Sequence, residues 1–330
     1  MKFLGNCTFC ESNLKAIEDW FGGGIELEET MRLALILLLA TSTLATPAFS
    51  EGPKVIGNGR LFTNDFFGDG GDRWRSGSYV ISIVQGQDSY SGEEAFGDII
   101  EYRIGGQIIA GMRSSAAPGD RPYVGAVSIG MHTPFKYANT DFSVGADVMA
   151  IGPQTGLSEF QRKFHEGFDI SLPPYVDQQL ENAVFVNGTI EASRTFALSD
   201  RVTLRPFVEG LTGAEDLVRA GGDVIFGQVG KADLMLRDVV TGQLYRGTQS
   251  TQTGLSYTFG ADVASVFDSA FLPADQGYNV SETRARARAG VLWQFAEESS
   301  FFYGATYLSE EFEDQSEGQV VGSLKLNFNF

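Results

Sequence analysis

Apolar and polar residues alternate along most of this chain in runs of roughly ten, the period of strands with one face in an apolar medium. Twelve such runs predict twelve strands, at 58–66, 78–86, 98–111, 121–133, 140–152, 183–196, 201–211, 217–228, 254–267, 283–295, 300–310 and 319–330. One stretch breaks the pattern. "GPQTGLSEFQRKFHEGFD" (152–169) carries Leu157, Phe160, Phe164 and Phe168 at three- and four-residue steps, which predicts a single amphipathic helix. Gly152-Pro153 ends the preceding strand, and Ser158-x-x-Gln161 has the spacing of a capping box.

The chemistry of the two strand faces narrows the fold. In "TRARARAGVLWQF" (283–295), Arg284, Arg286 and Arg288 form a row of guanidinium groups on one face, with Ala285, Ala287 and Ala289 on the other. A soluble sandwich has no place for such a row in its core, whereas a membrane barrel points it into a polar lumen among acidic partners. The closing "LKLNFNF" repeats the alternation and ends on Phe330. A closed barrel is also the one β solution that leaves no unpaired edge in lipid. The expected fold is therefore all-β: a single transmembrane antiparallel β-barrel of about twelve strands with a short α-helix in an extracellular loop. A secreted β-sandwich or periplasmic barrel is the alternative.

Composition changes the picture in two places. The net charge of −18 argues against nucleic acid as a partner, because binding phosphate backbones needs basic patches. Cys7 and Cys10 are the two cysteines, so thiol chemistry plays no part beyond the first ten residues. "MRLALILLLATSTLATPAFSEGP" (31–53) has the arginine, short apolar core and small-residue cleavage site of a signal peptide, with cleavage expected after Ser50. The expected organisation is residues 1–30 as an upstream over-extension, 31–50 as the signal, and 51–330 as one barrel domain.

With the N-terminus of the barrel in the periplasm, the first strand ends outward at Asn64-Asp65. The loop reaching Ser76, the segment 112–122 and the helix then converge on the same external rim. Gln161 and His165, four residues apart, share a helix face, and the phenylalanine stripe is expected to dock the helix on the rim. Spacing alone leaves these as weak candidates: an isolated histidine is more often solvated or satisfied than catalytic. His132, in the fourth strand, takes that bland reading, and "GDGGD" (68–72) reads as a flexible loop. No GxSxG, HExxH or P-loop motif is present.

Four blocks in order, "TNDFF" (63–67), "DRWRSGSYVIS" (72–82), "GDRPYVGAVSIG" (119–130) and the helical stretch at 152–169, resemble the outer-membrane lipid A 3-O-deacylases, and "DQQLEN" (177–182) follows at a matching distance. The resemblance implies a twelve-stranded barrel whose site lies between the wall and the helix of an external loop. It also implies calcium-dependent removal of the 3′-linked acyloxyacyl group of lipid A. Asn64, Asp65 and His165 match the family's catalytic residues, and Ser76 takes the place of a functional threonine once a gap is allowed in "DRWRSG"; Arg75 is the other candidate. Ser171 stands where the family has a glutamate, which leaves Asp169 or Glu166 to orient His165, with Gln161 in support.

These residue types suit the chemistry. A histidine near its ordinary pKa activates water at neutral pH, and Asp65, Asn64 and Ser76 offer hard oxygens for Ca2+ beside the developing oxyanion. Arg113, Arg121, Arg162 and Lys163 are the expected contacts to lipopolysaccharide phosphates. A monomer in the outer membrane is expected. The competing readings are a non-enzymatic barrel, porin or structural, and a phospholipase-type esterase with a serine–histidine pair on its strands.

Overall fold

The computed structural model describes residues 52–71, 73–111, 120–167 and 179–327, with positions 164 and 165 described by their backbone alone. The expected upstream segment, the signal peptide and Phe330 lie outside the described residues. All twelve expected strands are present, most of them within a few residues of the predicted limits. They are β1 (Lys54–Asn64), β2 (Trp74–Gly86), β3 (Ile100–Ala110), β4 (Val124–Tyr137), β5 (Thr140–Ile151) and β6 (Ala183–Ser193), followed after a short β7 (Phe196–Ser199) by β8 (Val202–Thr212) and β9 (Glu215–Gly227). Then come β10 (Met235–Arg237) and β11 (Leu244–Arg246), which stand apart from the wall, and the wall strands β12 (Gly254–Ser269), β13 (Thr283–Ala296), β14 (Ser299–Leu308) and β15 (Gln319–Asn327).

The wall is an antiparallel meander that closes twice over. β1 pairs with β15 through Phe62↔Leu324, Thr63↔Ser323 and Asn64↔Gly322, and β6 pairs with β8 from Gly188↔Thr212 to Ser193↔Phe207. β7 pairs with the start of β8 and extends that hairpin. Closure satisfies the backbone without an edge, the condition for crossing lipid.

Burial is inverted relative to a soluble protein. Arg286 and Arg288 are 5% and 4% exposed, whereas Ala287 and Ala289 between and beyond them face outward. Val186, Ile190, Val208, Phe259, Val263 and Phe267 are exposed on other strands, and Glu101, Asp223 and Ser323 are wholly buried. The expected arginine row thus points into the lumen, where it finds acids. Arg288 binds both Asp223 and Asp262, and Arg286 binds Asp262 at 2.9 Å.

The segment between β9 and β12 was not anticipated. It folds back into the lumen from the rim opposite the helix, with the β10–β11 hairpin at its centre. Leu234, Leu236 and Tyr245 pack against Leu61, Val80, Val84, Leu292 and Phe302 of the wall. Arg237 fixes the hairpin to two strands at once, reaching Glu191 at 2.8 Å and Asp223 at 3.0 Å. Strands of three residues are too short to show a period, but "DVVTGQ" (238–243), with Gly242 at φ 70°, is the turn signal that marks the hairpin. A cavity of about 430 Å³ remains between this insertion and the wall, bordered by Arg103, His132, Glu191 and Arg205.

Replacing Arg288 by alanine leaves Asp223 and Asp262 short of a shared partner in a site shielded from water. The expected loss is about 3–5 kcal/mol, read as a lower urea midpoint for the barrel in detergent micelles. Ala287→Val on the lipid face should move that midpoint by no more than about 0.5 kcal/mol.

Candidate functional site

Register brings Asn64, the residue after Ser76 and the residue beneath the helix start to one height on the wall. Asn64 stands opposite Gly77, Gly77 opposite Ile108, and Ile108 opposite Gly125, a single rung across β1 to β4 spanning about 14 Å. Glycine at two of its four positions leaves a shallow trough. Asn64 leans over one glycine, since a Cβ at Gly77 would lie 3.2 Å from its amide nitrogen. The start of the helix α1 (Leu157–Gly167) covers the other: a Cβ at Gly125 would meet Thr155 Oγ1 at 2.8 Å and Leu157 Cβ at 3.0 Å.

Asn64 and Asp65 are structural pivots of their rim. Asn64 Oδ1 accepts from the Phe66 N–H at 2.9 Å, capping the short 3₁₀ turn Asp65–Phe67, and its Nδ2 donates to the Ser76 carbonyl at 2.8 Å. Asp65 is buried; its carboxylate accepts from the Arg73 N–H at 2.8 Å and its carbonyl from Gly68 and Gly70. The pair therefore closes the loop that delivers Ser76.

The gap required in "DRWRSG" has a physical counterpart. Between Trp74↔Ala110 and Gly77↔Ile108 the strand carries an extra residue, so that Arg75 and Ser76 together face the single position Ile109. Arg75 spends its guanidinium on the lumen: Nε donates to Glu311 at 2.8 Å, and Nη1 donates to Gln107 at 2.8 Å. Ser76 is buried and its hydroxyl has no hydrogen-bond partner. Of the two candidates for the threonine position, only Ser76 has a free functional group.

The helix is where the sequence placed it but begins two residues earlier. The Phe160 N–H bonds to the Gly156 carbonyl, and Thr155, in the 3₁₀ turn Pro153–Thr155, takes the capping role by accepting from the Leu157 N–H at 3.4 Å. Ser158 is already inside the helix and instead accepts from Gln179 Nε2 at 3.2 Å, so the expected capping box does not form. The expected docking by phenylalanine also needs correction at Phe160, which is 62% exposed. Leu157 is half-buried and Gln161, one turn on, is buried; position 165 lies one turn further along the helix. Gln161 Oε1 is buried without a partner, as are Tyr123 Oη and Gln179 Oε1 on the neighbouring segments.

The cationic candidates separate. Arg162 and Lys163 lie on the open side of α1, within 3.6 Å and 3.5 Å of Glu159. Arg121 is corrected: it is buried and turned inward onto Glu311, so it is not displayed to a phosphate at the surface. Burial lowers its guanidinium from the ordinary value, and Glu311 opposes that shift. Burial alone would raise the Glu311 carboxyl, but Arg75, Arg121 and Arg284 hold it well below the usual carboxylate range. Glu166 is exposed, and Arg113, Asp169 and Ser171 lie outside the described residues. His132 is buried in the lumen away from the trough, with Nε2 3.2 Å from Asp147 and Nδ1 without a partner.

A hard cation was expected here. Among the described residues no three histidine, cysteine or acidic side chains gather around one point. The oxygens of Asp65 and Ser76 nonetheless suit calcium in type, and the orphaned Ser76 hydroxyl is a donor atom with nothing else to do. The side-chain amide of Asn64 is committed at both ends, which assigns it to positioning.

The profile of the family described as "Outer membrane protein LpxR" matches residues 33–330. The chain belongs to this family. The resemblance carried by the four sequence blocks is borne out, and with it the outer-membrane location. LpxR from Salmonella typhimurium superposes with a TM-score of 0.67 at 16% identity, covering 83% of this chain and all of that one, so the fold is shared. The β domain of the Bordetella autotransporter BrkA aligns over 83% of this chain and all of its own at 9% identity, with a TM-score of 0.42. Comparison with curated protein sequences gave no match.

Because Leu157 and Thr155 rest on a bare Cα, Gly125→Val should lift α1 from the wall of this LpxR-family barrel. Overpacking of about 1–3 kcal/mol should expose the helix to limited proteolysis about tenfold faster. Ser158→Ala should leave the cleavage rate unchanged.

Proposed function

We propose that the protein is an esterase that removes the 3′-linked acyloxyacyl group from lipid A at the outer face of the membrane. The observation that carries this reading is the trough on the Asn64–Gly125 rung. The start of α1 covers its Gly125 end, glycine holds two of its four positions, and two buried polar atoms, Ser76 Oγ next to Gly77 and Gln161 Oε1 on α1, have no partner within the protein. Such atoms are costly unless a ligand meets them. A trough on the outside of the barrel wall is open sideways to lipid, which suits a substrate whose acyl chains stay in the membrane.

In this reading His165, one helical turn beyond Gln161, takes a proton from water as its oxygen bonds to the ester carbon. The proton then passes to the departing alkoxide. Gln161 orients the water or the ester, while Asn64 fixes the main chain of Ser76. Asp65 and Ser76 are the residues that would hold Ca2+, which would supply positive charge for the oxyanion. Arg162 and Lys163, together with Arg113, are the cations proposed to meet lipid A phosphates. Orientation of the imidazole is assigned to Glu166 or Asp169, since Ser171 cannot accept as a carboxylate does.

The competing pore reading is weakened by the insertion, which places Leu234, Leu236, Arg237 and Tyr245 across the lumen. A serine–histidine esterase on the strands finds no support in His132, which is enclosed by the lumen and paired with Asp147.

Mass spectrometry of lipid A after incubation with the purified protein tests the proposal. Loss of the acyloxyacyl mass is expected with wild type in calcium and not with chelator or with His165→Ala. Ser76→Ala should slow the reaction by about 10²-fold, the usual cost of removing one oxyanion-side or positioning contact, and Arg75 variants should lose stability before chemistry. An unchanged mass under every condition, together with stepwise ion conductance in planar bilayers, would replace the esterase by a pore.

A further inference from the structure

Among the described residues, the ion-paired groups in the lumen just below the helix rim carry an excess positive charge. Among the described residues, three guanidinium groups there, Arg75, Arg121 and Arg284, share two carboxylates, Glu215 and Glu311. In the layer beneath, Arg205, Arg219, Arg237, Arg286 and Arg288 pair with Glu191, Glu209, Asp223 and Asp262, and Asp238 is buried beside Arg237. Arginine does not give up its proton, and protonating a carboxylate would enlarge the excess. An unmatched charge away from bulk water is costly unless a counter-charge or solvent meets it.

Between these two layers lies a cavity of about 80 Å³, room for a few water-sized occupants. Arg75, Arg219, Arg284 and Arg286 border it, with Glu215 and Glu311 as its acids. Arg284 is 8% exposed; its Nη1 donates to Glu215 at 2.7 Å, while its Nε and Nη2 have no hydrogen-bond partner. Donors left open on a guanidinium beside a cavity with excess positive lining are the features of a small anion site. We infer that this cavity binds one small monovalent inorganic anion, of which chloride is the first probe, as a structural counter-ion for the upper lumen. The site is separate from the outer trough and does not depend on the esterase reading.

The counter-ion binds the folded barrel and not the unfolded chain, so it stabilises by mass action. Thermal unfolding of the full protein in detergent, followed by tryptophan fluorescence, should be compared in sodium chloride and sodium gluconate at constant ionic strength. A saturable rise in Tm of about 2–5 °C in chloride is expected. Gln107 Oε1 accepts from Arg75 Nη1 at 2.8 Å at the edge of the same cavity, so Gln107→Glu supplies the missing negative charge with little change of shape. This variant should unfold at a higher temperature than wild type in gluconate and should show no response to chloride. Arg284→Gln should also lose the response, and bromide in crystals of the wild type should give an anomalous peak in the cavity. Equal Tm in the two salts, a chloride response that persists in Gln107→Glu, or density for water alone would overturn the inference.

Discussion

A sheet that crosses lipid must bond every backbone group to a neighbouring strand, and closing it into a ring is what this chain does through β1–β15 and β6–β8. Closure then dictates where everything else goes. One side of each strand meets hydrocarbon, so Val186, Phe259 and Phe267 are outside and exposed; the other side is sealed from it, so Arg288, Asp223 and Asp262 are inside. The interior pairs must be good ones, because a charge that loses its partner in such a space is far costlier than one at a soluble surface. The same enclosure gives the insertion its footing. Arg237 reaches acids on two strands, while Leu234 and Leu236 cover the apolar residues that face inward near that rim.

A lumen filled in this way has little room for a lipid substrate, and the trough lies on the wall. A rigid strand ladder is well suited to hold such a site, since register fixes the heights of Asn64, Gly77, Ile108 and Gly125 relative to one another. Only α1 adds an element from a loop. Its seat is determined by the absence of a side chain at Gly125 and by the Thr155 cap, so the row Leu157–Gln161 faces inward.

What the sequence made legible follows from the same physics. Period two was readable in all twelve wall strands because one face of each meets lipid and the other a polar lumen. Period 3.6 located α1 for the same kind of reason. Its cap was misplaced because Ser158 and Thr155 are equally plausible local acceptors, and the choice depended on the 3₁₀ turn that precedes the helix. Phe160 was assigned to the docking face by a rule for soluble helices, which bury their apolar stripe in protein; at a membrane rim an apolar residue has a second place to go. Arg121 was read as a surface cation because its partner, Glu311, lies 190 positions along the chain. The lumen hairpin was missed since strands as short as β10 and β11 carry no period.

The residues from Arg73 to Gly77 join the two halves of the molecule. Trp74 adopts φ 50°, a left-handed conformation that costs a bulky residue of order 1–3 kcal/mol. It is held there by Leu272 and Phe312 and by the Arg73 guanidinium, 4.5 Å above its ring. That twist starts the bulge, and the bulge lets two successive residues serve different masters: Arg75 enters the lumen network, and Ser76 keeps its hydroxyl unspent beside the rung. The ion pairs of Arg75 with Glu311 and Glu215 therefore do more than neutralise charge, since they anchor the strand at the residue before Ser76. The loops that carry Leu272, Glu311 and Phe312 are distant in sequence from every candidate residue, yet they set the geometry on which Ser76 depends.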